Sequence, residues 1–188
     1  MASVLFSSVA LAQAPAGVPV FAITPVQSHI KFEVDASVSI IGTFDKWTAS
    51  LTFGSADISS GKLEVEIQAA SVDTGSGMKN SKLKGSDFFD VKNNPLISFK
   101  STKIVQTGPT TFEVDGNFTI RGVTRPEKLK LTVSGAGTGS GTIAGTMAFD
   151  RKQYGMNSGI PFIRIADRVE VSFNLNASRI SGPPVKLD

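Results

Sequence analysis

A chain of 188 residues fits a single domain, and its 40% hydrophobic and 19% charged residues exclude a disordered polypeptide. The net charge of +3 comes from basic residues scattered among acids; only Lys79, Lys82 and Lys84 form a dense cluster, without interleaved aromatics, so no nucleic-acid partner is expected. With no Cys, disulfides, thiol catalysis and thiolate metal sites are excluded.

At the N-terminus, Val4 to Leu11 is a short apolar run and Ala12-Gln13-Ala14 has the small-x-small form of a signal-peptidase site. Met1-Ala2-Ser3 lacks the basic residues that open such a signal. Residues 1–14 are therefore read as a signal-peptide remnant whose true start is not fixed, and residues 15–188 as one exported, periplasmic domain. No other apolar run approaches the ~18 residues of a membrane span, so the mature chain is expected not to span a membrane.

Pro15 to Pro19 reads as a lead-in, Phe21 to Thr24 as a short strand, Pro25 to Ser28 as a turn, and His29 to Ile41 as a long strand. Gly42 permits a bend before a strand from Thr43 to Phe53, in which Phe44 and Trp47 are out of phase by one residue, the mark of a β-bulge. After a turn at Asp57 to Gly61 comes a strand from Lys62 to Ala70. Gly75 to Phe89 breaks the alternation, and Met78, Leu83 and Phe88 sit near helical spacing, so one or two short helices are expected there. Strands follow at Pro95 to Val105, Thr110 to Ile120, Val123 to Ser134, Thr142 to Phe149 and Asp167 to Ile180, with a Gly-rich loop at Gly135 to Gly141 and another loop at Asn157 to Ala166.

Five of these stretches alternate apolar and polar residues almost without error, as in Phe112, Val114, Phe118 and Ile120, or Val169, Val171, Phe173 and Leu175. A period of two gives each strand one dry and one wet face, and the dry faces must be buried together. Short connections imply antiparallel pairing, and about eight such strands close readily into a barrel. Ten residues at ~3.3 Å rise, tilted by ~40°, give a wall ~25 Å tall. The aromatic content, 13 Phe against one Tyr and one Trp, suits apolar surface without a polar handle, whether packed core or lumen.

Catalytic signals are weak. Val72-Asp73-Thr74-Gly75 carries the Asp-Thr-Gly of aspartic proteases, but one copy supplies one of the two carboxylates needed, and a strand-end turn capped by Asp73 is the expectation. His29, the only histidine, stands on the polar phase of its strand and is expected at the surface. No metal site is expected. The Gly135 to Gly141 stretch leads into no helix and has no following Lys-Ser or Lys-Thr, so it is no phosphate loop.

Five segments taken in order carry a resemblance: Ser28-His29-Ile30-Lys31-Phe32; Val72-Asp73-Thr74; Ser86-Asp87-Phe88-Phe89-Asp90 leading to Pro95-Leu96-Ile97-Ser98-Phe99; Phe118-Thr119-Ile120-Arg121-Gly122-Val123-Thr124-Arg125-Pro126; and Asp150-Arg151-Lys152-Gln153-Tyr154-Gly155-Met156. Over about residues 20 to 180 the chain resembles the YceI-like family. The resemblance implies an all-β, extended, eight-stranded antiparallel lipocalin-like barrel with one or two short helices. It implies a periplasmic binding or carrier protein for a long-chain isoprenoid (polyprenyl phosphate or ubiquinone) or similar amphiphilic lipid, with no other cofactor and no metal. Family members are often dimers, so a homodimer is among the partner expectations. On this reading Phe32, Val34, Leu63, Val65, Ile67, Phe99, Phe118, Phe149 and Phe173 would line the lumen. The Phe88-Phe89 pair would plug or gate one end, and Arg121, Arg151 and Tyr154 would meet a polar head group at a rim. The alternatives are that the Phe residues are plain core and that Arg121 pairs with Asp87 or Asp90. Sequestration of other hydrophobic molecules such as lipophilic antibiotics, or a lipid-acting enzyme using His29, Asp73 or Tyr154, are the competing functions.

Overall fold

The alternation seen in the sequence becomes alternation in burial: along Gly61–Gln68 every odd residue is buried and every even one exposed. The computed structural model describes residues 17–37, 39–135, 138–159 and 164–187. The expected signal remnant, 1–14, lies outside the described residues, as does part of the 157–166 loop. Among the described residues ten strands form one sheet, accompanied by one α-helix, α1 (Gly77–Lys84). The strands are β1 (Val20–Ala36), β2 (Ile40–Phe44), β3 (Trp47–Phe53), β4 (Gly61–Gln68), β5 (Val72–Asp73), β6 (Leu96–Gln106), β7 (Thr111–Ile120), β8 (Val123–Val133), β9 (Ser140–Asp150) and β10 (Ile165–Ser181).

Neighbours run in the order β3-β4-β6-β7-β8-β9-β10-β1-β2-β5, all antiparallel. The sheet curls because β2 and β3 are successive segments of one strand path: β2 pairs with β1, and past Asp45-Lys46 β3 pairs with β4. Packing between β1 and β3 draws the wall together, with the Phe21 and Phe53 rings 5.8 Å apart. The result is a lipocalin-like barrel. Ten strands rather than eight follow from that break at Asp45-Lys46, where a bulge was expected, and from the two-residue β5.

Two expected breaks are not where the sequence placed them. The bend expected at Gly42 is absent: Gly42 lies inside β2 paired with Phe32, and the hairpin instead runs from the end of β1 at Ala36 to the start of β2 at Ile40. Pro25 to Ser28 lies within the continuous strand β1, where the register against β10 slips: Thr24 faces Asn176 and His29 faces Asn174. The Ser28 hydroxyl stitches the slip, donating to the Thr24 carbonyl (2.6 Å) and accepting from the Asn176 amide (2.9 Å). A local hydrogen bond thus converts a turn signal into a bulge. The β7–β8 hairpin behaves as its sequence demands: Arg121 (φ 53°) and Gly122 (φ 72°) form a two-residue turn with both φ positive, between the paired Ile120 and Val123.

Candidate functional site

Inside the barrel the dry faces meet in two apolar chambers separated by a packed belt. The chamber beneath α1 is lined by Ile30, Phe32 and Val34 of β1, Ile40 and Phe44 of β2, Ile67 of β4, Ile97 of β6, Phe118 and Ile120 of β7, Phe149 of β9, and Ile165, Val169 and Val171 of β10. Leu83, Phe88, Phe89, Met156 and Arg151 complete it. The cap is aromatic on aromatic: the Phe89 ring stands edge-on to Phe32 at 6.2 Å and lies 5.9 Å from Phe44. Such pairs prefer tilted and edge-on arrangements.

The cap is placed by local chemistry. Ser76 caps α1 through the Lys79 amide, and Lys82 and Lys84 sit at its C-terminal end, where the helix dipole favours them. Of the three apolar residues at helical spacing, Leu83 is the one buried within α1; Met78 is 84% exposed and Phe88 lies beyond the helix end. After Lys84 the chain turns inward, with the Phe89 amide donating to the Leu83 carbonyl at 2.9 Å and the Asp90 amide to the Gly85 carbonyl at 2.9 Å. Those bonds point both Phe88 and Phe89 into the chamber.

The belt consists of Leu63, Val65, Phe99, Val114, Leu129, Phe173 and Leu175, all buried and lining neither chamber. Two of its rings lie flat against the wall where a neighbouring strand carries glycine. A Cβ on Gly145, opposite Phe173, would sit 2.1 Å from its ring, and one on Gly116 would sit 2.3 Å from the Phe99 ring. Of the eleven expected lumen residues, Phe32, Ile67, Phe88, Phe89, Phe118, Phe149 and Val34 face the α1 chamber, while Leu63, Val65, Phe99 and Phe173 fall in the belt. Ile30, Ile97, Ile120 and Val169 line the chamber without having been expected there, although each shares the phase of an expected residue on its strand; Phe44 lines it from β2, which carried no expected residue.

The three rim candidates are all engaged in internal contacts. Arg121 donates Nη1 to the Gly155 carbonyl and Nη2 to the Ser86 carbonyl (2.8 Å), tying the segment after α1 to the turn after β9. These are carbonyl partners rather than the Asp87 or Asp90 carboxylates; Asp87 pairs with Lys82 and Asp90 accepts from Asn93 and Asn94. Arg151, 5% exposed, donates to the carbonyls of Met156, Ser158 (3.0 Å) and Ala166 (3.0 Å) and reaches Asp167 at 3.4 Å. Tyr154 is fully buried against Phe118 and Phe149, and its hydroxyl donates to Glu127 at 2.8 Å. Burial, reinforced by that bond and the Glu127 charge, raises the Tyr154 phenol above its usual range.

The remaining chemistry is slight. His29 is exposed on the wet face of β1. Asp73 accepts from the Gly75 amide (2.9 Å) and from Asn80 (3.1 Å), bonds that lower its pKa and make it the turn cap after β5. Among the described residues no three His, Asp or Glu are grouped to hold a metal, and no helix is long and apolar enough to cross a membrane.

A family model for the YceI-like domain matches residues 21–177. UPF0312 proteins of Pseudomonas savastanoi pv. phaseolicola and Azotobacter vinelandii are 36% and 32% identical to the chain over 98 residues, 52% of this chain and 51% of each relative. The chain thus aligns with about half the length of these curated relatives. Among solved structures it is similar to BcnA of Burkholderia cenocepacia (TM-score 0.75, 27% identity, 82% of this chain and 99% of the other). It also shares the fold of a polyisoprenoid binding domain from Saccharophagus degradans (TM-score 0.66, 14% identity, 86% and 99% covered).

Proposed function

The chain belongs to the YceI-like family, and on that premise we propose that it is an exported binding protein holding a long-chain isoprenoid, such as a polyprenyl phosphate or ubiquinone, or a similar amphiphilic lipid, in the chamber beneath α1. The observation that carries this reading is the chamber itself: among the described residues Arg151 is its one charged lining residue, and the guanidinium is bonded to backbone carbonyls. Each buried methylene is worth ~0.8 kcal/mol, so ten of them supply ~8 kcal/mol, the scale of micromolar binding before ordering costs. The polar groove of Asp35, Lys152, Arg164 and Asp167 shares Arg151 and Ile165 with the chamber, which makes it the place for a head group. Export to the periplasm is proposed from the Val4 to Leu11 run and the Ala12-Gln13-Ala14 site. Binding is the role proposed over the lipid-acting enzyme: His29 lies outside the chamber, on the wet face of β1, and the Tyr154 hydroxyl is held by Glu127.

The test is calorimetric titration of delipidated protein with ubiquinone and with a polyprenyl phosphate, repeated for Phe89→Asp. Saturable binding that Phe89→Asp weakens at least tenfold is expected. Absence of binding to both, or equal binding by the variant, overturns the reading. A lipophilic antibiotic of matching girth is expected to compete, since apolar walls select by shape more than by chemistry.

A further inference from the structure

The barrel's second chamber lies at the end opposite α1, lined by Phe21, Leu51, Phe53, Phe112, Ile143 and Ala177 and roofed by Pro184, Val185 and Leu187. We propose that it is an independent site for a single-chain anionic amphiphile of the fatty-acid class, with Arg179 receiving the carboxylate and the C-terminal segment strapping the chain in.

Four observations carry this. The wall is apolar over almost its whole extent, with Phe21, Leu51, Phe53, Phe112 and Ile143 facing one another, which suits an acyl chain. The belt separates it from the α1 chamber, with Val114 and Leu175 fully buried and Leu63 1% exposed. The lining includes a single charged residue, Arg179, which has no carboxylate partner among the described residues. Its Nη1 donates to the Gly182 carbonyl at 2.5 Å and its backbone amide to Gly139 at 2.6 Å, which anchors the side chain at the rim. A planar guanidinium so held suits the fork geometry of a carboxylate.

The strap is built in. Gly182 has φ 80°, and a Cβ there would lie 1.8 Å from the Val18 carbonyl oxygen, so the bend out of β10 is restricted to glycine. Beyond it Lys186 joins the 56–58 segment: its amide donates to Ala56 at 2.7 Å and its carbonyl accepts from Ile58 at 3.2 Å. These bonds hold Val185 and Leu187 over the opening.

The inference stands apart from the isoprenoid reading, and one experiment separates them. Delipidated full-length protein is titrated with palmitate, its methyl ester and ubiquinone, alone and together, by calorimetry and native mass spectrometry. One equivalent of palmitate should bind in addition to ubiquinone. Arg179→Ala should weaken palmitate by an order of magnitude or more while changing ubiquinone and methyl ester less than twofold, and Phe89→Asp should leave palmitate binding unchanged. Failure of palmitate to bind, one-for-one displacement by ubiquinone, or equal palmitate affinity in Arg179→Ala each overturns the second site. Loss of ubiquinone binding alone sinks only the isoprenoid proposal. Thermal denaturation of Arg179→Ala, expected at the wild-type Tm, shows that the variant is folded.

Discussion

The flat packing of Phe173 on Gly145 is the contact most open to a decisive test. The two residues face each other across β9 and β10, and a methyl group at 145 would lie 2.1 Å from ring Cζ and 2.5 and 2.7 Å from the two Cε atoms. Carbon pairs settle at about 3.5–4.0 Å, so in Gly145→Ala the ring must shift by roughly 1.5 Å, out of its wall position and into the belt. Overpacking of this kind costs ~1–3 kcal/mol, offset by ~0.4–1 kcal/mol from the stiffer unfolded chain. The net expectation is a loss of ~1–2 kcal/mol, or roughly 2–8 °C in Tm for a domain of this size. Urea and thermal unfolding of Gly145→Ala, Phe173→Val and the double variant form a cycle that isolates the contact. With the ring gone, the alanine should cost less than about 0.5 kcal/mol. An equal loss in both backgrounds, or none in the wild type, would refute the claim that glycine is there to seat the ring.

Other outcomes follow from the cap. Arg151→Met removes a buried guanidinium and strands several carbonyls, so the unfolding free energy should fall by about 3 kcal/mol or more, and Arg151→Lys, without the planar fork, should recover less than half; a near-neutral Arg151→Met contradicts the clamp role. Because the folded-state phenol of Tyr154 is raised, its contribution to stability is complete below pH ~10 and is lost as pH climbs toward the folded value, by up to ~1.4 kcal/mol per pH unit. Tyr154→Phe should therefore flatten the alkaline limb of a stability–pH curve while costing ~0.5–1.5 kcal/mol at pH 7, and an unaltered limb would count against this. His29→Ala should leave lipid affinity within twofold in the same titrations, since the ring is exposed on the outer face.

Much of this architecture was legible in the sequence because period-two alternation reports burial directly. β4, β7, β9 and β10 fall within a few residues of their expected bounds, and α1 lies within the 75–89 segment where the alternation breaks. Two things were hidden. The alternation says which face of a strand is dry but not how high along the barrel a dry residue sits, so Phe99 and Phe173 look the same in sequence as Phe118 and Phe149. The glycines that seat Phe99 and Phe173, 116 and 145, are equally silent in sequence, and their significance appears only once the register is known. The roles of Arg121 and Arg151 were likewise unreadable, because their partners are backbone carbonyls, which every residue carries. Arg179 gave no sequence signal for the same reason: its setting depends on a loop and a C-terminal segment brought together by the fold.

The central claim is that the chamber beneath α1 holds a long-chain lipid. Organic extraction of natively purified protein, followed by mass spectrometry, tests it most directly. The account predicts close to one equivalent of an isoprenoid quinone, a polyprenyl phosphate or a comparable amphiphile in the wild type, and its loss from Phe89→Asp. Extracts without such a species, from protein that also fails to take up prenyl lipids on titration, would contradict it.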